Sequence, residues 1–306
     1  MNWHHIISAD QFDCDSIKEL FELARNIKKN PGLFHKDLAD KVMFELFYQA
    51  STRTRFSFDL AMKKLGGRVI GTENARIFSS ATKGETLEDT ILTITVGLEA
   101  DIIVLRYDKV GGAKRASQIT ETPIINAGDG PGEHPTQALL DLFTIQEELG
   151  RLNDFTIAMI GDPYHSRTIH SLARLLTLYK NVEIILVSPD EIGLDDETKK
   201  YLHERGLKFS HSKNLGKTLK KVDVAYMTRI QEEYFHNPEI YKKVFGQYVL
   251  SSKLIPSNLK LIMHPLPRKG EILFEVDKDP RAAYFRQVNY GLYIRMALLK
   301  LISDKV

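Results

Sequence analysis

Five consecutive residues, Ser51-Thr52-Arg53-Thr54-Arg55, carry hydroxyl and guanidinium groups where the apolar run Val42 to Tyr48 gives way to an amphipathic stretch ending at Gly66-Gly67. Backbone N–H groups at a helix amino end, joined there by hydroxyls and arginine, meet the needs of a phosphate dianion. Taken alone the segment has a plainer reading, because hydroxyl residues cap helices routinely and arginines near a helix start are often solvated. Two facts favour the anion. The segment follows a strand in an alternating fold, at the carboxyl edge where open sheets hold ligands. Arginine at a helix amino end also opposes the macrodipole, an arrangement that becomes favourable when an anion sits between. A small phosphorylated substrate is therefore expected.

Further residues can complete such a site. His134 and Gln137 fall on one side of the first turn of a helix opened by Pro135. A neutral His134 can donate to a carbonyl oxygen and Gln137 can bond an amide, so the pair can grip a carbamoyl group; a capping histidine beside a surface glutamine is the alternative. Arg106 directly follows the apolar run 101–105, and Lys83 lies in the polar stretch Phe78-Ser79-Ser80-Ala81-Thr82-Lys83-Gly84, read as a loop able to close over an anion or simply to stay solvated. In the second half Arg167 opens a helix after Gly161-Asp162, while Arg229, with Gln231 two residues on, follows a strand. These two arginines can hold two carboxylates. In His264-Pro265-Leu266-Pro267-Arg268 the prolines fix the backbone and leave carbonyls to accept from an amine.

The elements that must present these groups alternate between strand-length apolar runs and helix-period segments, the pattern of parallel sheets covered by helices. Strands are expected over 42–48, 68–71, 101–105 and 123–126, then over 155–160, 182–187, 208–211, 222–227 and 259–263. Helices are expected over 16–28, 53–65 and 86–97, from Pro135 to about Leu149, and over about 281–302. The fold class is thus α/β, with two domains that are each an open parallel sheet with helices on both faces. The boundaries read as 1–133 together with a returning carboxyl-terminal helix, about 285–306, and 134–284.

Composition narrows the partners. Lys plus Arg number 42 against 40 Asp plus Glu, so no single-sign field argues for nucleic acid or a membrane surface. The amino end lacks a basic segment followed by an apolar core, which reads as a cytoplasmic chain. One cysteine, Cys14, excludes an intrachain disulfide and cysteine-rich metal sites. No three-glycine dinucleotide fingerprint follows the strand 155–160. No metal and no cofactor is expected.

Read together, these motifs resemble the transcarbamylase family, in its aspartate-accepting branch, over nearly the whole chain. Ser51 to Arg55, Lys83-Gly84-Glu85-Thr86, Arg106, Asn126 to Gly130, His134-Pro135-Thr136-Gln137, Gly161-Asp162, Arg167-Thr168, Thr228-Arg229 with Gln231, and His264 to Arg268 occur in the family's order. The ornithine-accepting branch has cysteine at the position of Pro265 and a Ser-Met-Gly motif that is missing here. The resemblance implies carbamoyl transfer from carbamoyl phosphate to L-aspartate on the route to pyrimidines, without a covalent intermediate. It also implies a homotrimer with each site in a cleft between domains, completed by a neighbour's serine and lysine loop, and a regulatory subunit, if present, as a separate chain. Carried over residue by residue, Ser51, Thr52, Arg53, Thr54 and Arg106 hold phosphate, and Thr54, Arg106 and His134 reach the carbonyl oxygen. Gln137 with the segment Pro265, Leu266 and Pro267 holds the carbamoyl group, while Lys83, Arg167, Arg229, Gln231 and either Ser79 or Ser80 hold aspartate. Three positions depart from the allosteric bacterial members: Gln49 replaces a glutamate, Tyr234 an arginine, and Tyr164-His165-Ser166 a Lys-Tyr-Gly segment. The departures imply closure through neutral hydrogen bonds and weak aspartate cooperativity. The alternatives are a transcarbamylase with another amino acceptor and a silent, partner-binding relative.

Overall fold

The structure, a computed structural model, describes residues 3–72, 74–235 and 237–304. Met1 and Asn2 of the amino-terminal reading lie outside the described residues. The chain divides into two compact units, Met1–Leu140 with Val288–Val306, and Asp141–Gln287. The division falls inside the helix Pro135–Leu149 rather than at its amino end.

The first unit is built on a four-stranded parallel sheet in the order β2-β1-β3-β4. Its strands are β1 (Val42–Phe47), β2 (Arg68–Thr72), β3 (Ile102–Tyr107) and β4 (Ile124–Asp129). A parallel sheet flanked by helices hides both faces, so its inner strands read as continuous apolar runs. One face gathers Phe44, Leu46, Ile103 and Leu105 against Leu87 and Ile91, each such side chain contributing roughly 1.5–3 kcal/mol of transfer energy. β2 has only exposed and half-buried residues, as suits an edge. The last helix, Tyr284–Ser303, joins this unit from Val288 on, where Arg295 donates to the Ser57 hydroxyl at 3.0 Å and Lys300 meets Asp37 at 3.0 Å.

The second unit carries a five-stranded parallel sheet in the order β7-β6-β5-β8-β9. The strands are β5 (Phe155–Ile160), β6 (Val182–Val187), β7 (Lys208–Ser212), β8 (Val224–Met227) and β9 (Leu261–Met263). Ala158, Ile160, Ala225 and Met227 share one apolar cluster with Leu219, Tyr248 and Tyr284.

Two local expectations are corrected. The segment 86–97 is not one α-helix: α-helix runs over Leu87–Leu92 and continues as a π-helix over Thr93–Gly97, where the Thr95 hydroxyl donates to the Ile91 carbonyl at 2.9 Å and competes with the regular ladder. The stretch around Lys83 is not irregular. It forms a helical turn over Ala75–Phe78 and a 3-10 turn over Ser80–Lys83, closed by Gly84 at φ 90.

Candidate active site

In the first unit, Ser51 precedes the helix Thr52–Lys64 in extended conformation, and its side chain makes no capping bond. No acidic residue sits in that first turn, whereas the helix Cys14–Lys29 is capped by Asp13 and carries Asp15. A helix amino end that its N-cap side chain does not cap, with half-buried Arg53 and buried Thr54 in its first turn, is of the kind that can seat an anion. Arg106 lies opposite Phe47 near the carboxyl end of β3, and the register with β4 shifts there, so that Arg106 alone faces both Ala127 and Gly128, a bulge in β4. Its Nη1 donates to the Ala127 carbonyl at 3.1 Å.

His134 is 3 % exposed and Gln137 8 %. The His134 carbonyl accepts from the Gln137 and Ala138 amides at 3.0 and 3.1 Å, which places the imidazole at the amino end of Pro135–Leu149, with the Thr136 hydroxyl 3.5 Å from Nδ1. Phosphate-type and carbonyl-type donors therefore belong to the same unit. Lys83 and Ser80 are exposed, and the Lys83 ammonium makes no hydrogen bond or ion pair among the described residues. The Ser79 hydroxyl is engaged, donating to the Ala75 carbonyl and accepting from the Ala81 amide at 3.2 Å.

In the second unit β5 ends in Gly161 at φ +120, where a Cβ would stand 2.2 Å from the Thr228 carbonyl oxygen; glycine is required there. Asp162 follows, fully buried. It accepts from the amide and Nδ1 of His165, at 3.1 and 3.0 Å, and from the Gln231 amide at 3.1 Å. Gln231 returns a bond from Nε2 to the His165 carbonyl at 2.8 Å, and the His165 ring stacks on Tyr234 with centroids 5.8 Å apart. Arg167 is the first residue of its helix, whose Ser166 makes no capping bond. Arg229 forms a two-pronged pair with Glu233, one prong at 2.9 Å. Burial works against the Glu233 charge, but Arg229 and the nearby Arg167 more than offset it and leave its pKa below the usual carboxylate range.

The turn after β9 is the most constrained part of this unit. Leu266 takes φ 55 and is followed by a cis bond to Pro267. Its amide donates to His264 Nδ1 at 2.7 Å, and His264 is held in turn by Glu271 at 2.7 Å and by Gln287 at 3.0 Å. Gln287 and Tyr226 both reach buried Asp141, at 2.5 and 2.6 Å. A non-glycine residue persists in a left-handed conformation only where its surroundings over-determine it. Here a buried polar chain does so, and it fixes the directions of the Pro265 and Leu266 carbonyls.

Sequence reasoning passed over Glu233, although its i,i+4 spacing from Arg229 was in plain view. It also passed over the Asp141–Gln287–His264 chain, whose members lie too far apart in sequence to be paired without the fold. Among the described residues no group of three or more His, Cys, Asp or Glu could hold a metal ion, and no helix is long and apolar enough to cross a membrane.

The carbamoyl-phosphate-binding domain of aspartate/ornithine carbamoyltransferases matches residues 4–147, and the Asp/Orn-binding domain of the same enzymes matches residues 153–302. The chain belongs to the aspartate/ornithine carbamoyltransferase family. A relative from Pisum sativum, aspartate carbamoyltransferase 3, chloroplastic, is 49 % identical over 97 % of this chain and 77 % of its own length. The solved catalytic subunit of M. jannaschii aspartate transcarbamoylase superposes with TM-score 0.89 at 43 % identity, covering 98 % of both chains. Aspartate transcarbamoylase from Trypanosoma cruzi, solved with carbamoyl phosphate and aspartate, gives TM-score 0.88 at 36 % identity over 97 % of this chain and 95 % of its own. The family's reaction in this chain is carbamoyl transfer to aspartate. The expected cytoplasmic location is corrected by the same comparison, because relatives from Pisum sativum, Oryza sativa and Arabidopsis thaliana are named chloroplastic.

Proposed function

We propose that the first unit holds carbamoyl phosphate and the second holds L-aspartate, with each sequence-derived residue in the role the local geometry allows. The amides of Ser51 to Thr54, their hydroxyls and Arg53 bind the phosphate. Arg106, Thr54 and His134 donate to the carbonyl oxygen, while Gln137 and the Pro265 and Leu266 carbonyls hold the carbamoyl nitrogen. Arg167 and Arg229 take the two carboxylates of aspartate, and Gln231 steadies the loop that carries Arg229.

The neutral amine of aspartate attacks the carbamoyl carbon and negative charge gathers on the former carbonyl oxygen. Donors already aimed at that position supply about 3 kcal/mol each to its stabilisation. The C–O bond to phosphate then breaks, and the departing phosphate takes the amine proton; the products are N-carbamoyl-L-aspartate and phosphate. Positioning of two anionic substrates supplies much of the remaining acceleration. The observation that carries this reading is the uncapped amino end at Ser51, in the same unit as Arg106 opposite the β4 bulge and buried His134. Calorimetric titration with a phosphonate joined to aspartate tests both half-sites at once. Affinity no greater than that of the phosphonate fragment alone would overturn the assignment.

The homotrimer belongs to the same proposal. Phe56 and Leu60 share one side of their helix and are 56 % and 45 % exposed, while Ile77 and Phe78, 58 % and 75 % exposed, immediately precede the turn bearing Lys83. Apolar surface of this kind next to an unpaired lysine favours a second copy of the chain, which receives Lys83 and Ser79 or Ser80 at its own site. Mixing Arg53→Ala and Lys83→Ala proteins after mild dissociation then regenerates some intact sites and recovers activity. A separate regulatory subunit would be an addition to this assembly, and co-purification of the untagged chain from its source checks for one.

A further inference from the structure

The segment from Trp3 to Phe12 lies along the outer edge of β4, where Ile6 makes a parallel bridge with Ile125. The Ile6 amide donates to the Ile124 carbonyl at 2.8 Å and the Ile6 carbonyl accepts from the Asn126 amide at 2.7 Å. The segment is well anchored. Trp3, Ile6 and Phe12 are buried, and the Trp3 indole donates to Glu19 at 3.0 Å. His5 Nδ1 accepts from the Ile124 amide at 3.1 Å, which requires a neutral ring, and burial with the neighbouring His4 pushes its pKa down to about 4.

Two further contacts run from this segment to the stretch from Asn126 to His134, one near each end. Within β4, Asn126 Nδ2 donates to the Ile7 carbonyl at 2.9 Å, and its Oδ1 accepts from the Gly128 amide at 2.8 Å. These bonds bracket Ala127, whose carbonyl receives Arg106. At the far end the Glu133 carboxylate accepts from the Ser8 hydroxyl at 2.6 Å and the Ala9 amide at 2.7 Å. The Glu133 backbone is itself locked to Asp129, its amide donating to Oδ1 at 2.7 Å and its carbonyl accepting from the Asp129 amide at 3.2 Å. Ordinary packing would not need a charged carboxylate that grips a segment more than a hundred residues away while its own peptide leads into His134.

We propose that Glu133 is a positioning residue, and that the amino-terminal segment, gripped through Ser8 and Ala9, sets the direction of the His134 imidazole and of the Ala127 carbonyl that holds Arg106. The proposal rests on the assignment of His134 and Arg106 as donors to the carbamoyl oxygen. Glu133 touches no substrate; it acts on turnover because donors to a developing oxyanion are sensitive to small misplacements.

The test uses Glu133→Ala, Glu133→Gln, Ser8→Ala and the Ser8→Ala/Glu133→Ala pair in the full chain, with His134→Ala as reference. Glu133→Ala should lower kcat about tenfold or more and raise the carbamoyl phosphate KM, with the aspartate KM unchanged in protein of native size and circular dichroism. Glu133→Gln keeps the shape and one acceptor oxygen, so it should recover most of the turnover. Ser8→Ala should cost about threefold, and the double variant no more than Glu133→Ala alone, because both act through one contact. Glu133→Ala with full kcat in folded protein overturns the proposal, even if its melting temperature falls; so do strictly additive effects of the pair. Full activity in His134→Ala would instead overturn the underlying site assignment, which the reference variant reports separately.

Discussion

The proposed phosphate half-site in the first unit and the proposed acceptor half-site in the second use similar residues in opposite ways. In the first, the groups that face substrate are set by backbone: a helix amino end, a strand bulge opposite Arg106, and a loop tied at several points. In the second, the same kinds of side chain are occupied by partners within the unit, Arg229 by Glu233 and Gln231 by His165. On the proposed assignment the first half-site would be formed before its ligand arrives, whereas the second would exchange an internal partner for a substrate carboxylate. That exchange is cheap. The Arg229 and Glu233 side chains are 25 % and 49 % exposed, and an ion pair this wet contributes about 0–1 kcal/mol.

If the phosphate side is preformed, removing one of its charges leaves a hole that nothing nearby can fill. Arg53→Ala should lower kcat by about a thousandfold, with little change in melting temperature, because Arg53 is half-buried at the end of an intact helix. Activity within a few-fold of the parent would break the comparison at its first term.

On the proposed acceptor side the buried carboxylate of Asp162 ties the two loops together, and it should be the second most sensitive position. Its two oxygens organise His165 and the Gln231 amide, and asparagine would offer a donor where acceptors are needed. Asp162→Asn should reduce kcat/KM for aspartate by about ten- to a hundredfold while leaving carbamoyl phosphate binding intact. Equal losses for both substrates would show that the two half-sites are less separate than their hydrogen bonds indicate.

The stiffness of the phosphate helix also has a signature in stability. Glu45 on β1 is 1 % exposed, its Oε1 lacks a hydrogen bond among the described residues, and Arg55 Nε stands 3.6 Å from Oε2. Burial, then Asp59, push its pKa up to about 8, against the smaller pull of Arg55 and Lys63. A carboxyl whose folded pKa is raised stabilises the fold fully below its unfolded pKa of 4.5, and that contribution is lost as pH climbs to about 8. Melts of the parent protein should therefore lose about 2–4 kcal/mol relative to Glu45→Gln between pH 5 and 8. Parallel curves for the two proteins would place the carboxylate in a wetter or better-paired setting.

Nearly all of the fold was legible because its signals are local. Apolar runs bounded by glycine and charge located the strands, and Pro135 and Gly150 bracketed the helix between them. Residues at element ends were legible for the same reason: Ser51 and Arg167 stand at the start of helices and Arg229 just past β8, where an alternating fold gathers its ligands, although Arg106, expected directly after its strand, lies one residue inside the carboxyl end of β3. What stayed hidden was pairing across sequence. Nothing in the spacing says that Glu133 meets Ser8, that His264 sits between Glu271 and Gln287, or that Leu266 turns left-handed. Those depend on which strands lie side by side. The bulge opposite Arg106 and the π turn after Leu92 escaped because each is a one-residue departure from a period that the sequence otherwise keeps.

The most discriminating experiment on the comparison is also the smallest in effect. If Glu233 is a placeholder that aspartate displaces from Arg229, then Glu233→Gln, which removes the negative charge and keeps the shape, should lower the aspartate KM by up to about fivefold, the worth of an exposed pair. Turnover should change little, since the guanidinium reaches the same carboxylate in the loaded site. If instead Glu233 aims Arg229, the same substitution raises the aspartate KM, and the acceptor half-site is preformed after all. Tyr234 gives this outcome a second reading. Its ring lies against His165 in place of the arginine found in the allosteric bacterial members, so it adds no cation to compete for Glu233. With Arg229 the hydrogen-bonded cation and Arg167 close by, a drop in KM should come with a hyperbolic aspartate curve; a sigmoidal curve would mean that the exchange at Arg229 is coupled to something beyond these three groups.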